Sequence, residues 1–174
     1  MTIGVLGGGA WGTALAQAYA SDGAPVRLWA REPEVVAAVN NERRNPLFLP
    51  GAELAPSIVA TGSMAEMDDL AVLLVVAPAQ HLGKVLAGLS DAPRDLVLCS
   101  KGIEAGTGRL MAEVARQALP QAEVVVWQDG VDIAPCDYAV LWAPPAAMLA
   151  HLVHVKAIFI TGAGVDATLK LGDA

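Results

Sequence analysis

Three glycines near the start of the chain have the spacing of a dinucleotide-binding turn. Gly7, Gly9 and Gly12 form the pattern G-x-G-x-x-G between an apolar run and an alanine-rich segment. In such a strand–turn–helix, the first glycine permits a sharp turn, the second lets a pyrophosphate approach the backbone, and the third lets the helix pack on its strand. The helix N-terminus offers N–H groups and partial positive charge to phosphates. The pattern predicts dinucleotide binding, and the alternative is an ordinary βα turn.

Two charged residues after the second apolar run bear on the choice of cofactor. NAD sites commonly place an acidic side chain about twenty residues after the glycines, on the ribose hydroxyls. Arg31 occupies that neighbourhood, and Glu32 follows it. A guanidinium there can stack on adenine or pair with a 2′-phosphate, whereas an inward-facing Glu32 would restore NAD binding. We therefore expect NADP or NAD, with the balance tilted towards NADP.

Two further side chains could take part in chemistry. Lys101 precedes Gly102 in a loop after an apolar run, where it could contact an anionic substrate or the cofactor. A solvated surface lysine is the alternative. His81 could carry a proton, although a histidine at a helix start is more often exposed or a cap. Hydride transfer needs a positioned general acid, and no residue stands out as one, so the catalytic residues stay unassigned.

Composition and charge exclude several classes of protein. The chain has 174 residues, of which 55% are hydrophobic and 17% charged, so disorder is not expected. A net charge of −7 argues against a nucleic-acid or anionic-membrane surface. The longest apolar run, Ala71 to Ala79, is too short for a membrane span. Ala18-Tyr19-Ala20 loosely resembles a signal-peptidase site, but no basic residue precedes it, and we expect a cytoplasmic protein.

The cysteines and two histidines match no metal or disulfide pattern. Cys99 and Cys136 are far apart and read as free thiols in a reducing compartment. His151 and His154 are spaced like ligands on a helix face, but no acidic or cysteine partner lies at a useful spacing. No metal site is predicted.

Apolar runs that alternate with helical patterns predict the frame that positions these residues. Short, nearly all-apolar strands between helices indicate a parallel sheet covered on both faces. We expect an α/β fold, a doubly wound parallel sheet of the Rossmann type with a C-terminal βαβ extension. The predicted strands are Ile3–Leu6, Val26–Ala30, Ile58–Thr61, Val72–Val76 and Leu96–Cys99. The predicted helices are Trp11–Ser21, Pro33–Asn41, Ala79–Leu89 and Gly108–Leu119. In the extension, strands at Tyr138–Trp142 and Ala157–Ile160 flank a short helix, Ala146–Leu152.

A proline-rich segment from Asn40 to Gly51 breaks this rhythm. It is too long for a tight turn between a helix and a strand, so we expect a surface excursion. Its pair Arg43-Arg44 could meet a phosphate or a partner. A solvated basic loop is the alternative.

Five separated segments occur in a set order: Gly7 to Leu15, Leu28 to Arg31, Asn45 to Gly51, Val76 to Gln80 and Lys101 to Glu104. On these segments, residues 3–122 resemble the cofactor domain of bacterial NAD(P)-dependent glycerol-3-phosphate dehydrogenase. The resemblance implies that Ala10, Trp11 and Arg31 contact the dinucleotide, and that Lys101 contacts both the cofactor and a small phosphorylated substrate. It also implies reversible hydride transfer between NAD(P)H and dihydroxyacetone phosphate, which feeds phospholipid synthesis. Whether the protein forms a homodimer stays open.

The rest of the chain departs from that family. A strand at Val124–Trp127 is followed by Gln128 to Asp132, where the family has a Ser-Gly-Pro-Ser-Phe loop and then a helical domain with a catalytic lysine. The later lysines, Lys156 and Lys170, match no such motif. Four other segments follow: Val126-Trp127, Asp137 to Pro145, Leu152 to Phe159 and the glycine-rich Gly162 to Asp166. On these segments, residues 124–166 resemble the start of a D-2-hydroxyacid dehydrogenase, closest to glyoxylate/hydroxypyruvate reductases.

These two resemblances predict a chimera joined near residues 120–125. The expected domains are a dinucleotide-binding domain, 1–122, and a flavodoxin-like substrate-domain fragment, 123–174, which either extends the sheet or forms a small lobe. The first function hypothesis is an NAD(P)-binding oxidoreductase module that is weak or inactive alone, so whether the chain is an enzyme stays open. The alternatives are a non-catalytic structural module and a reductase of small 2-oxo acids that uses Gly162–Gly164.

Overall fold

A five-stranded parallel sheet lies at the centre of the first of two units, Met1–Val124, in the computed structural model. The structure describes residues 1–92, 94–121, 138–141, 152 and 157–160. The strands are β1 (Ile3–Leu6), β2 (Val26–Trp29), β3 (Ile58–Thr61), β4 (Val72–Val75) and β5 (Asp95–Leu98). Their order is β3-β2-β1-β4-β5, and every pairing is parallel. The order reverses between β1 and β4, which makes the end of β1 the topological switch point.

The described residues of the first unit also contain four α-helices, of which three connect strands of the sheet and the fourth follows β5. They are α1 (Ala10–Tyr19), α2 (Pro33–Glu42), α3 (Leu82–Leu86) and α4 (Met111–Ala118), with short 3₁₀ turns at Ala20–Asp22, Met64–Met67 and Ala79–His81. Pro33 is at the first turn of α2, where its fixed φ suits a helix and its missing N–H costs nothing. Gly23, with φ of 87°, closes the turn after α1 in the left-handed conformation that glycine favours. The predicted Rossmann-like α/β fold is confirmed.

The buried core accounts for the apolar strands. All four residues of β1 are buried, because this strand lies in the middle of the sheet with neighbours on both edges. One cluster joins β1 and β4 to α3 and α4, and it contains the buried side chains Leu6, Met67, Leu70, Leu73, Val75, Ala77, Leu82, Leu86, Leu89, Met111, Val114 and Ala115. A helical layer thus covers this part of the sheet, as the near-continuous apolar strands predicted.

Two helices differ from their predicted bounds for local reasons. The predicted helix Ala79–Leu89 is a 3₁₀ turn followed by the short α3. The predicted helix Gly108–Leu119 starts at Met111, because Gly106 and Gly108 have φ of 83° and 70° and form a turn. An antiparallel bridge between Ile103 and Leu110 closes that turn.

The second unit, Val125–Ala174, contributes two described strands. These are β6 (Tyr138–Leu141) and β7 (Ala157–Ile160), which pair in parallel with Tyr138 opposite Ala157. The predicted strand Val124–Trp127, most of the predicted helix Ala146–Leu152 and the loop Gly162–Gly164 lie outside the described residues. So do Cys136, His151, His154, Lys156 and Lys170. Within the described part of the chain, no helix has the length and apolarity needed to cross a membrane.

Replacing a core leucine of the sheet should cost far more stability than replacing an exposed leucine. Leu73 of β4 is 0% exposed, whereas Leu47 is 54% exposed. We expect Leu73→Ala to lower the free energy of unfolding by about 2–5 kcal/mol, because it leaves a cavity under α3. Leu47→Ala, the same substitution at the surface, should change it by less than about 0.5 kcal/mol. Urea denaturation measures both, and equal losses would contradict this placement of the core.

Candidate functional site

The carboxyl ends of four parallel strands bring the predicted site segments to one edge of the sheet. The glycine loop follows β1, Arg31 follows β2, Ala77 follows β4, and Lys101 follows β5. Backbone hydrogen bonds extend the ladders just beyond the strands: Gly7 N–H donates to the Trp29 carbonyl at 3.1 Å, and Val76 N–H to the Leu6 carbonyl at 2.9 Å. In open α/β sheets this edge forms the ligand crevice. Predicted cofactor and substrate residues therefore share the expected edge.

The three glycines of the loop are required for different physical reasons. Gly7 has φ of 133°, and a Cβ there would lie 2.9 Å from the Val76 carbonyl oxygen. A Cβ on Gly12 would lie 1.8 Å from the Gly7 carbonyl oxygen, so a side chain would push α1 off its strand. Gly9 has an ordinary extended backbone, and a Cβ there would meet no described atom within 4 Å. The fold requires Gly7 and Gly12, whereas the space at Gly9 is open to a ligand.

The N-terminus of α1 has the features of an anion site. Gly9 is the N-cap, no side chain caps the helix, and its first turn contains no acidic residue. The Thr13 N–H donates to the Gly9 carbonyl at 2.9 Å, which starts the helical pattern. The N–H groups before it have no carbonyl partner within the helix and carry partial positive charge. Ala10 and Trp11 lie on this first turn and are exposed, with Trp11 39% exposed.

Arg31 and Glu32, the residues predicted to choose the cofactor, form an ion pair at the end of β2. The Arg31 Nε and Nη2 donate to Glu32 Oε1 at 3.1 and 2.7 Å. The Arg31 side chain is 74% exposed, and that of Glu32 is 21% exposed. The Arg31 guanidinium is thus held at the surface by Glu32, whose carboxylate is the group that the sequence predicts could bind the ribose of NAD. Both cofactor alternatives depend on this pair.

The backbone around Lys101 is tied to the segment after β4. The Ser100 hydroxyl donates to the Ala77 carbonyl at 2.6 Å. The Gln80 amide donates to the Ile103 carbonyl at 3.0 Å and accepts the Ala105 N–H at 2.8 Å. Lys101 itself is exposed. The sequence did not assign this role to Ser100 or Gln80. The available signal was their place in the segments that follow two apolar strands.

Asn45 is a third residue whose role was not predicted from the sequence. The segment from Asn40 to Gly51 was expected to be a surface excursion, and Arg43 and Arg44 are indeed exposed. Asn45 is nevertheless buried at 0% exposure and bonds to the glycine loop. The prediction of an exposed segment was wrong at this position. A buried amide is tolerated when protein groups accept and donate its hydrogen bonds, and Asn45 has such partners.

The remaining candidates are a histidine, a possible metal site and a cysteine. His81 is exposed and ends a 3₁₀ turn. Among the described residues, no group of three His, Cys, Asp or Glu side chains could hold a metal ion. Cys99 is buried at the end of β5, and burial raises the pKa of its thiol to about 12.

The fold and its loop define the class: a Rossmann-like dinucleotide-binding type of domain. The sequence model for the N-terminus of NAD-dependent glycerol-3-phosphate dehydrogenase matches residues 2–135. The chain belongs to this family.

Curated relatives and a solved structure agree with this membership. The glycerol-3-phosphate dehydrogenase (NAD(P)+) of Erythrobacter litoralis is 60% identical over 124 residues, covering 71% of this chain and 38% of that protein. The enzyme of Novosphingobium aromaticivorans is also 60% identical over 124 residues. The crystal structure of glycerol-3-phosphate dehydrogenase from Coxiella burnetii aligns with a TM-score of 0.61 at 30% identity, over 69% of this chain and 38% of that one. The chain thus spans less than two-fifths of the length of these relatives.

The structure of the Saccharomyces cerevisiae enzyme has the same TM-score, 0.61, at 23% identity, and shows the fold alone. The family match runs to residue 135, beyond the predicted junction at residues 120–125. These matches do not support the resemblance of residues 124–166 to a D-2-hydroxyacid dehydrogenase.

Cys99 should resist alkylation in the folded protein. With a pKa of about 12, about one thiol in ten thousand is ionised at pH 8, and the thiolate is the reactive form. In a Cys136→Ser background, we expect iodoacetamide to leave Cys99 unmodified in buffer and to modify it fully in urea, as measured by mass spectrometry. Modification at the same rate in both conditions would contradict its burial.

Proposed function

We propose that residues 1–122 are the NAD(P)-binding domain of a glycerol-3-phosphate dehydrogenase-type oxidoreductase. The observation that carries this proposal is the open space at Gly9, set between two glycines that the fold itself requires. An uncapped helix N-terminus faces that space with no acidic side chain in its first turn. A pyrophosphate supplies the negative charge that such a helix end lacks.

The cofactor contacts follow from this placement. We propose that the backbone of Gly9, Ala10 and Trp11 binds the pyrophosphate, with Gly7 and Gly12 shaping the loop. Arg31, at the next strand end, binds the adenosine side of the cofactor, as NADP or NAD. Lys101, across the switch point, contacts the cofactor and a small phosphorylated substrate. Its loop is braced by Ser100 and Gln80, which suits a residue that must hold an anion in place.

The reaction proposed for the whole protein is reversible hydride transfer between NAD(P)H and dihydroxyacetone phosphate. The relatives named above carry that enzyme's name, and this chain spans 38% of their length. The cofactor supplies the hydride when bound. This chain would contribute the site that binds and orients it, whereas turnover also needs a general acid, a role that is assigned to none of the described residues. We therefore expect binding without substantial activity.

The second part of the chain has a separate proposal. We propose that residues 123–174 are a substrate-domain fragment joined to the first domain as a chimera; its parallel strands β6 and β7 are compatible with a flavodoxin-like segment. A reductase of 2-oxo acids stays a prediction, because Gly162–Gly164 lie outside the described residues. A cytoplasmic location and a homodimer are likewise proposals.

Gly9→Ala should separate cofactor binding from stability. A methyl group at position 9 would meet no atom of the described residues within 4 Å, so the unfolding midpoint should not fall. The same methyl group would occupy the space proposed for pyrophosphate, so NADPH affinity should fall at least about tenfold, or about 1.4 kcal/mol. Isothermal titration with NADH and NADPH measures affinity, and quenching of Trp11, checked with Trp11→Phe, assigns the site.

Two outcomes of this titration would count against the proposal. Wild-type protein that binds neither cofactor at millimolar concentration would overturn the binding function. Gly9→Ala protein that binds as well as wild type would place the cofactor elsewhere. Gly12→Ala is the contrasting control, because its methyl group would clash with the Gly7 carbonyl and should lower stability as well.

Arg31→Ala should weaken NADPH binding more than NADH binding. The guanidinium can pair with a 2′-phosphate, which NADH lacks. We expect the ratio of NADPH to NADH affinity to fall about tenfold, the scale of a charge-assisted hydrogen bond. Glu32→Gln is the matched variant: it frees Arg31 from its ion pair and should move the same ratio in the opposite direction. Equal losses for both cofactors would contradict a role in cofactor choice.

A further inference from the structure

Asn45 is a buried polar side chain that bonds to three separate parts of the site region. Its Nδ2 donates to the Gly8 carbonyl at 2.8 Å and to the Thr13 hydroxyl oxygen at 2.7 Å. Its Oδ1 accepts the Phe48 N–H at 3.2 Å. Asn45 therefore connects the glycine loop, the first turn of α1 and its own segment.

The orientation of this amide is fixed by its partners. An amide nitrogen carries two donors and an amide oxygen only accepts. If nitrogen and oxygen were exchanged, Oδ1 would face the Gly8 carbonyl oxygen and Nδ2 would face the Phe48 N–H, so both contacts would be repulsive. Both N–H donors and the carbonyl of Asn45 are thus used in the observed arrangement.

Gly8 is the residue whose position Asn45 controls. It lies between Gly7, which turns the chain out of β1, and Gly9, the N-cap of α1. On its other side, a Cβ at Gly8 would lie 2.5 Å from the Ala30 Cβ, so the backbone has no room to move towards β2. The peptide that joins Gly8 to Gly9 is therefore held by a hydrogen bond at its carbonyl, and its N–H group belongs to Gly9.

A planar peptide couples the two ends of this bond. When the Gly8 carbonyl is held by Asn45, the Gly9 N–H points the opposite way, away from the Asn45 amide. Thr13 contributes to the same arrangement: it is buried, accepts from Asn45 and lies 3.4 Å from the Gly8 carbonyl. The network thus fixes the direction of an N–H group at the proposed pyrophosphate site.

We propose that Asn45 is a positioning residue for cofactor binding, which acts by holding the Gly8 carbonyl so that the Gly9 N–H is directed at the pyrophosphate. This inference rests on the proposed function. Asn45 also ties the segment that contains the exposed Leu47 and Phe48 to the glycine loop, because its backbone carbonyl accepts the Leu49 N–H at 2.9 Å.

A second asparagine, Asn40, serves as a control because its amide also bonds to backbone but in a different place. Asn40 donates to the Ala60 carbonyl at 2.9 Å and accepts the Ala60 N–H at 2.8 Å, which ties α2 to β3. It is exposed and makes two side-chain hydrogen bonds where the buried Asn45 makes three, and neither of its bonds involves the glycine loop. Asn40→Ala therefore removes an amide that bonds elsewhere in the domain.

The test compares cofactor affinity with stability in these variants. We expect Asn45→Ala to weaken NADH and NADPH by the same factor, about tenfold, because both carry the pyrophosphate that the loop binds. Asn40→Ala should lower the urea midpoint and leave both dissociation constants unchanged. An equal loss of affinity for NADH and NADPH also distinguishes Asn45→Ala from Arg31→Ala, which should weaken NADPH binding more than NADH binding. Calorimetric titration of folded protein, checked by circular dichroism, gives the constants.

Three results would decide the matter. Asn45→Ala protein that binds both cofactors like Asn40→Ala would overturn the inference. If Asn45→Ala does not fold, Thr13→Val and Thr13→Ser replace it. The affinity for both cofactors should fall in the valine variant and return to the wild-type value in the serine variant. Wild-type affinity in both variants would again overturn the inference. A wild-type protein that binds no cofactor would instead remove the proposed function, which these variants do not address.

Discussion

The close contact between helix α1 and strand β1 is the constraint on which the glycine loop depends. Gly12 comes so near the Gly7 carbonyl that a Cβ would lie 1.8 Å from its oxygen, a separation that only a residue without a side chain avoids. Because the helix starts this close to the sheet, its first N–H groups lie at the end of β1, between the diverging neighbours β2 and β4. Packing thus places the proposed anion site at the switch point.

Local charge, and not the charge of the whole chain, governs what this edge can bind. The chain carries −7, yet the first turn of α1 contains no acidic residue. Charges beyond about 8 Å are screened at physiological salt, so distant carboxylates oppose an anion only weakly. Glu32 is closer, but its pair with Arg31 is exposed, and exposed pairs contribute only about 0–1 kcal/mol. A 2′-phosphate could therefore compete for Arg31 at small cost.

Sequence reasoning succeeded where a single local pattern decides the structure. The strands Ile3–Leu6 and Ile58–Thr61 follow directly from short apolar runs, and the glycine spacing located the loop. It was less successful where distant contacts decide. The start of α4 depends on a bridge between Ile103 and Leu110, and the burial of Asn45 depends on partners 32 and 37 residues away. An asparagine before a proline is typical of exposed turns. The local sequence therefore predicts that Asn45 is exposed, whereas the fold buries it.

Cofactor binding and turnover make different demands on this chain, and its proposed site residues address the first of them. Every residue proposed to bind the dinucleotide lies before residue 102, and the cluster of buried side chains that supports them lies within residues 6–115. Under that proposal, binding rests on the glycine loop, the uncapped end of α1 and the guanidinium that follows β2. Hydride transfer also needs a group that protonates the developing alkoxide beside the nicotinamide. His81 and Lys101 are exposed at this edge and Cys99 is buried, and none of the three is assigned that role. The geometry of the loop therefore bears on how a cofactor would be held, which is the part of the proposed reaction that this unit explains.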